Sequence, residues 1–185
     1  MESAVVDAGS RSRATDRVSL AILIALMVLA VLLFRDYGIS NDEEVQHRYG
    51  ELIINYYESG FRDTALFNYK NLYLYGGLFD IVAVGLARLL PFDPFLIRHL
   101  LSAMIGVGGM AGVWATARLV GGARAGLIAL CAIAVCGPYF GGMFNHTKDV
   151  PFAAAVIWRT VFAVAAVRAI YEVCAIATSP AIDSP

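Results

Sequence analysis

The chain has 185 residues, of which 59% are hydrophobic and 16% are charged. Soluble globular domains are roughly 45–50% apolar and about 25% charged, so this composition excludes an ordinary soluble domain and indicates a membrane protein. The formal net charge of -1 argues against nucleic-acid binding, and the spacing of the three cysteines predicts neither a metal site nor a disulfide framework.

Residues 1–17 are polar and contain three arginines, and an apolar run follows at 18–34. The run is longer than the core of a signal peptide, and no small-residue cleavage site follows it. We therefore expect 1–17 to be a cytoplasmic tail and 18–34 to be a retained membrane span with its basic end inside.

Residues 35–95 are predicted to form an extracytoplasmic loop that holds two helices. Positions 42–57 have an apolar and a polar face at helical spacing, which predicts an amphipathic helix in the membrane interface, with Asn41 or Asp42 as its cap. The second element, 71–90, is apolar but contains charged residues, and it either lies in the interface or spans the membrane.

Three further spans are predicted at 96–120, 125–144 and 150–169, with a turn at Gly121-Gly122 and a Ser/Pro-rich tail at 178–185. The arginines beside this turn favour a cytoplasmic location for it, and then 71–90 does not span. The expected fold is all-α: a polytopic transmembrane helix bundle in the cell membrane, with an amphipathic interfacial helix in the first extracytoplasmic loop.

Two polar clusters flank the apolar runs, at 41–44 and at 145–149. Carboxylates this close to hydrocarbon are costly, which makes them candidates for a functional site. The two clusters can form one site only if both lie on the same side of the membrane.

Seven short stretches follow one another in a characteristic order: Asp42-Glu43, Arg48-Tyr49, Tyr57-Glu58-Ser59-Gly60, Tyr69-Lys70, Arg98-His99-Leu100-Leu101-Ser102, Ala117-Arg118-Leu119-Val120-Gly121 and Lys148-Asp149-Val150-Pro151. This order resembles the N-terminal part of the lipid-carrier-dependent glycosyltransferases of the GT-C class. Within that class it is similar to family 39, which includes protein mannosyltransferases and aminoarabinose transferases. The resemblance covers roughly residues 18–155.

The resemblance implies transfer of a sugar from a polyprenyl-phosphate donor to an extracytoplasmic acceptor, with membrane lipids as surroundings. The acceptor needs a general base, and the departing phosphate needs cationic or metal stabilisation. The implied catalytic residues are Asp42 and Asp149, and the implied substrate-binding residues are Glu43, Lys70, Arg98 and Lys148.

Glu43 and His47 stand four positions apart on the predicted helix, a spacing at which they can share a divalent metal ion. Each candidate also has a structural interpretation. Asp42 can be a helix cap, Glu43 and His47 a solvated helix face, and Arg98 a helix anchor. Lys148 and Asp149 can belong to an interfacial loop before Pro151, which suits an early helix position.

Two departures separate the chain from the family pattern. The family often has Lys-Pro-Pro-Leu where this chain has Lys70-Asn71-Leu72-Tyr73, and its members carry about twice as many spans. We therefore expect an N-terminal fragment that is inactive alone, with a second chain supplying the missing spans. The alternative is a non-enzymatic membrane scaffold or subunit of a larger complex. A transporter is disfavoured because the middles of 96–120 and 125–144 carry few polar residues.

Overall fold

The computed structural model describes residues 2–178, and every regular element in that range is helical. The helices are α1 (Glu2–Leu33), α2 (Asn41–Glu58), α3 (Leu78–Leu89), α4 (Pro94–Ala134), α5 (Gly137–Asn145) and α6 (Asp149–Thr178), with short 3₁₀ turns at Ala65–Asn68 and Leu72–Leu74. The all-α prediction is confirmed for this part of the chain. Of the predicted tail at 178–185, residues 179–185 lie outside the described residues.

Three segments of the described helices are long and apolar enough to cross a membrane: Ser12–Leu33, Pro94–Ala134 and Asp149–Cys174. Helix α3 has only 12 residues. At 1.5 Å per residue it is about 18 Å long, against a hydrocarbon core of about 30 Å. The regular part of the predicted element 71–90 is therefore too short to span by itself.

Helix α4 reverses direction at Gly122, where φ is 81° and ψ is -177°. A Cβ added to Gly126 would lie 3.0 Å from the Cβ of Arg118. In a straight helix, positions eight residues apart are separated by about 12 Å. The segments 94–121 and 123–134 are thus two antiparallel arms, as expected for a turn at Gly121-Gly122, and glycine suits the left-handed φ.

The predicted span at 125–144 is not one helix in the structure. The second arm of α4 ends at Ala134, and α5 begins at Gly137 with Pro138 in its first turn. A proline inside a continuous helix lacks the N–H donor, and its ring clashes with the carbonyl four residues earlier, which here belongs to Ala134. The crossing is therefore made of two short helices.

Contacts at the two ends of the bundle show how its helices run. At one end, Asp16 of α1 accepts two hydrogen bonds of 2.7 Å from Arg118. At the other end, Tyr37, just after α1, stacks on Phe144 of α5 with ring centroids 4.0 Å apart. Helix α1 is therefore antiparallel to the first arm of α4, and the end of α5 reaches the same end of the bundle as the end of α1.

Helix α6 runs parallel to the first arm of α4. Two hydrogen bonds join them, from Trp158 to the Gly108 carbonyl and from Arg168 to the Leu119 carbonyl, and a third runs from Arg98 to Thr147, just before α6; the bonded residues are 49 or 50 positions apart. A nearly constant difference in residue number between bonded partners is possible only when the two segments run parallel. The starts of α4 and α6 therefore lie side by side, and they do so at the end of the bundle that also carries α2 and α3.

Helices α2 and α3 pack against each other across Gly50. A Cβ added there would lie 2.8 Å from the Asp80 carbonyl oxygen and 2.8 Å from a Val84 methyl group, so the two helices are in close backbone contact. The core beside α2 is formed by Tyr49, Leu52 and Ile53 with Leu66 and Leu72 of the two 3₁₀ turns, and Ile81 of α3 packs against it. This pair of helices covers one end of the bundle and forms part of the candidate site.

Candidate functional site

A cleft of about 900 Å³ opens between the α2–α3 pair, the first arm of α4 and the start of α6. Most of its wall is apolar, with Leu101 and Ile105 from α4 and Phe152, Ala155 and Trp158 from α6. Ligand sites in proteins are typically concave and mostly apolar, with a few convergent polar groups.

The polar side chains of the cleft wall include Gln46 of α2, Asp80 of α3, and Thr147, Lys148 and Asp149 at the start of α6, at the end of the bundle that carries α2 and α3. The Lys148 ammonium lies 3.6 Å from the ring centroid of Tyr75, which precedes α3. The Asp149 carboxylate is largely exposed and stands 3.8 Å from His146 Nδ1. A cation and a carboxylate therefore stand together at the mouth of an apolar cleft.

A buried ion pair lies beneath this polar end. Arg98 is 0% exposed, and its Nη2 donates to Asp80 Oδ1 at 2.7 Å and to Thr147 Oγ1 at 3.2 Å. Burial raises the pKa of the Asp80 carboxyl, and the Arg98 guanidinium opposes that rise. Arg98 thus lies behind Asp80 and Thr147 and joins α3, α4 and the loop before α6. The cleft wall itself does not include Arg98.

The next residue of α4 makes a second buried contact, with α2. His99 Nε2 lies 2.9 Å from Glu43 Oε1, and both side chains are almost fully buried. The other carboxylate oxygen of Glu43 accepts a 2.8 Å hydrogen bond from the Ser40 N–H. Ser40 is the N-cap of α2, so the cap prediction for Asn41 or Asp42 is wrong by one or two positions. Glu43, rather than Asp42, closes the capping box.

His47 points to different partners from those of Glu43. Its ring is tilted over Phe95, with centroids 5.6 Å apart, and its Nε2 lies 3.8 Å from Glu51. Burial lowers the pKa of His47, and the Glu51 carboxylate opposes that change. No cluster of three or more potential metal-ligating side chains occurs among the described residues. Glu43 Oε2 accepts a hydrogen bond from Ser40, while Oε1 faces His99 and makes no hydrogen bond, so neither oxygen is shared with His47.

Asp42 and Lys70 are exposed and lie outside the wall of the cleft. Lys70 and Asn71 both have positive φ, 50° and 56°. Proline is restricted to φ near -65°, so the Asn71 conformation is incompatible with the proline that the resembling family often has there. The loop geometry of this chain therefore differs from one built on Lys-Pro-Pro-Leu.

Of the predicted site residues, Lys148 and Asp149 line the cleft, Glu43 and Arg98 are buried behind it, and Asp42 and Lys70 stand apart. Sequence reasoning assigned no individual role to Asp80, His99 or Thr147. Asp80 did carry a signal, because an acid inside an apolar element implies a partner. Its pairing with Arg98 became visible only once the fold brought α3 onto α4.

Comparison of the chain with protein-family models, with curated proteins and with solved structures finds no match. The class that the fold itself defines is an all-helical protein whose three longest apolar helices are suited to crossing a membrane.

Proposed function

We propose that this chain is a module of a multi-pass cell-membrane glycosyltransferase that binds a polyprenyl-phosphate sugar in the cleft. The observation that carries the proposal is the form of the cleft: a long apolar wall that ends in Lys148 and Asp149. An isoprenoid chain needs apolar surface, and a phosphate needs a cation at one end of it. Both requirements meet in one cleft of about 900 Å³.

The chemistry follows from the polar end. An acceptor hydroxyl attacks the anomeric carbon of the sugar, and the bond from that carbon to the phosphate oxygen breaks. The phosphate leaves with the electron pair, and Lys148 offsets its charge after leaving its contact with Tyr75. Asp149 accepts the proton of the acceptor, because it is the exposed carboxylate at the mouth of the cleft. A divalent ion is not required in this scheme.

In this proposal α1, the first arm of α4 and α6 each cross the membrane. The second arm of α4 and α5 together make the remaining crossing. The starts of α2 and α6 then share the extracytoplasmic side, where a lipid-borne donor is presented to its acceptor. Arg118 and Arg124, on either side of Gly122, fall on the cytoplasmic side, in agreement with the positive-inside rule. The proposed partners are the polyprenyl-linked sugar, membrane lipids and a second chain that adds further spans.

A non-enzymatic scaffold is the second candidate, and one observation favours it. Glu43, from the acidic cluster at 41–44, is 0% exposed and closes a helix cap while contacting His99. Such a carboxylate stabilises structure and is not free to contact a substrate. In this interpretation the α2–α3 pair forms a rigid surface that binds a partner protein.

The test is a transfer assay in membranes that contain the full chain together with its native membrane proteins. Polyprenyl-phosphate mannose and polyprenyl-phosphate aminoarabinose serve as donors, and release of polyprenyl phosphate is measured. We expect release that depends on the chain and falls about 10²–10⁴-fold in Asp149→Asn, the usual cost of losing a general base. Asp42→Asn is the matched control and should keep most of the activity.

Two results would count against the proposal. Chain-independent release with both donors would favour the scaffold. Full activity in Asp149→Asn with loss in Asp42→Asn would move the base to the start of α2.

A further inference from the structure

Arg159 lies near the middle of a segment suited to crossing the membrane. The candidate span of α6 is Asp149–Cys174, and Arg159 is ten residues from its first residue. At 1.5 Å per residue it is about 15 Å from that end, farther than an arginine side chain reaches towards the interface. Its side chain is exposed. A cation at this depth is costly unless another polar group meets it.

Arg159 points away from the rest of the bundle. Helix α6 packs on α4 through Val150, Ala154, Ile157 and Val161; a Cβ added to Gly112 of α4 would lie 2.8 Å from Ile157. Arg159 follows Ile157 by two positions, which rotates it by about 200° around the helix. It therefore faces outward from α6, where hydrocarbon would lie.

The other buried or interfacial arginines of the bundle have partners. Arg98 pairs with Asp80, Arg118 with Asp16, and Arg168 donates to the Leu119 carbonyl. The side chain of Arg159 makes no hydrogen bond or ion pair with any described residue. Its neighbours on the same face of α6 are small or apolar. We call these residues together with Arg159 the outer stripe, and all five are exposed: Val156, Arg159, Ala163, Ala166 and Ile170.

We infer that the outer stripe is covered by a transmembrane helix of a partner protein that carries a carboxylate at mid-membrane depth. The carboxylate would meet Arg159, and the alanines at 163 and 166 would allow the partner's backbone to approach closely. A second copy of this chain does not fit. In a two-fold contact centred on the outer stripe, Arg159 would face Arg159, and the stripe has no acid to offset it. The inference does not depend on sugar transfer.

The test places a photoreactive benzophenone amino acid at Ala163 of the full chain, in membranes of the organism that encodes it. After irradiation, the cross-linked peptide is sequenced. We expect it to come from an apolar segment that contains an aspartate or glutamate. The yield should fall at least about tenfold in Arg159→Leu, which corresponds to about 1.4 kcal/mol, and should persist in Arg159→Lys.

Arg168→Leu is the matched control, because it removes another arginine from α6 and should leave the yield unchanged. Exchanging the charges, with Arg159→Glu in this chain and the partner's acid replaced by lysine, should restore it. Cross-links only to lipid, or to a second copy of the chain, would overturn the inference. So would a yield that is indifferent to Arg159→Leu, or rapid labelling of Arg159→Cys by an impermeant thiol reagent.

Discussion

Replacing Asp80 with leucine tests whether the α2–α3 pair is held to the bundle by the buried ion pair. The guanidinium of Arg98 is 0% exposed and is bonded through Nη2 alone to Asp80 and Thr147. In Asp80→Leu the Thr147 hydroxyl, 3.2 Å away, and the Phe79 ring, with its centroid 5.2 Å from the guanidinium carbon, remain near the buried charge, and neither is an anion. Removing one partner of a buried pair typically costs about 3–5 kcal/mol.

The chain also provides an exposed pair for comparison, between α2 and α3. Glu58 at the end of α2 contacts Arg88 of α3, and both side chains are about half exposed. Because exposed pairs contribute about 0–1 kcal/mol, Glu58→Leu should change the free energy of unfolding little. The double variant Asp80→Leu/Arg98→Met should recover much of the loss, since it removes the unpaired charge as well.

The assay is unfolding in mixed micelles by titration with sodium dodecyl sulfate, followed by far-ultraviolet circular dichroism. The expected order of stability is wild type close to Glu58→Leu, then the double variant, then Asp80→Leu. If Asp80→Leu is no less stable than Glu58→Leu, Arg98 is solvated and the description of a buried anchor is wrong.

Three other predictions follow from local geometry. Gly106→Ala should lower the free energy of unfolding by about 1–3 kcal/mol, because the added Cβ would lie 2.6 Å from a side chain of α5. Gly108→Ala has open space around the added Cβ and should not destabilise the protein, and unfolding titrations compare the two variants. Burial lowers the pKa of His47, so the neutral ring is favoured on folding; stability should fall as pH drops below 6.5, and this loss should be smaller in His47→Gln. Cysteines at Asp42 and Asp149, in a chain lacking its native cysteines, should both react with an impermeant thiol reagent from outside, and labelling of only one would refute a shared side.

Hydropathy and the residues typical of turns were enough to predict the helical class and several interruptions between helices. Long apolar runs give helices because backbone groups in hydrocarbon must bond internally. The turn at Gly121-Gly122 was predicted correctly from the glycine pair. The predicted span at 125–144 runs through Pro138, whereas the structure ends a helix at Ala134.

Contacts distant in sequence could not be predicted in this way. Glu43 and His99 are 56 positions apart by residue number, and no local rule assigns one to the other. The spaced glycines at 108 and 112 and at 137 and 141 show the same limit. A Cβ added to Gly112 would lie 2.8 Å from Ile157 of α6, whereas a Cβ added to Gly108, Gly137 or Gly141 would meet nothing within 4 Å. A repeat of small residues indicates a capacity for close contact, but which members are used depends on how the neighbouring helix is rotated.

The central claim is that the cleft binds a polyprenyl phosphate, and photolabelling measures this directly. The full chain, reconstituted in phospholipid vesicles, is irradiated with a benzophenone-bearing polyprenyl phosphate, and the labelled peptides are identified. The proposal predicts label on the cleft wall at 101–108 and 151–158, competed by unlabelled polyprenyl phosphate and suppressed by Ala155→Trp but not by Ala163→Trp. Label spread evenly over the outer faces of the helices, without competition and equal in both variants, would contradict it.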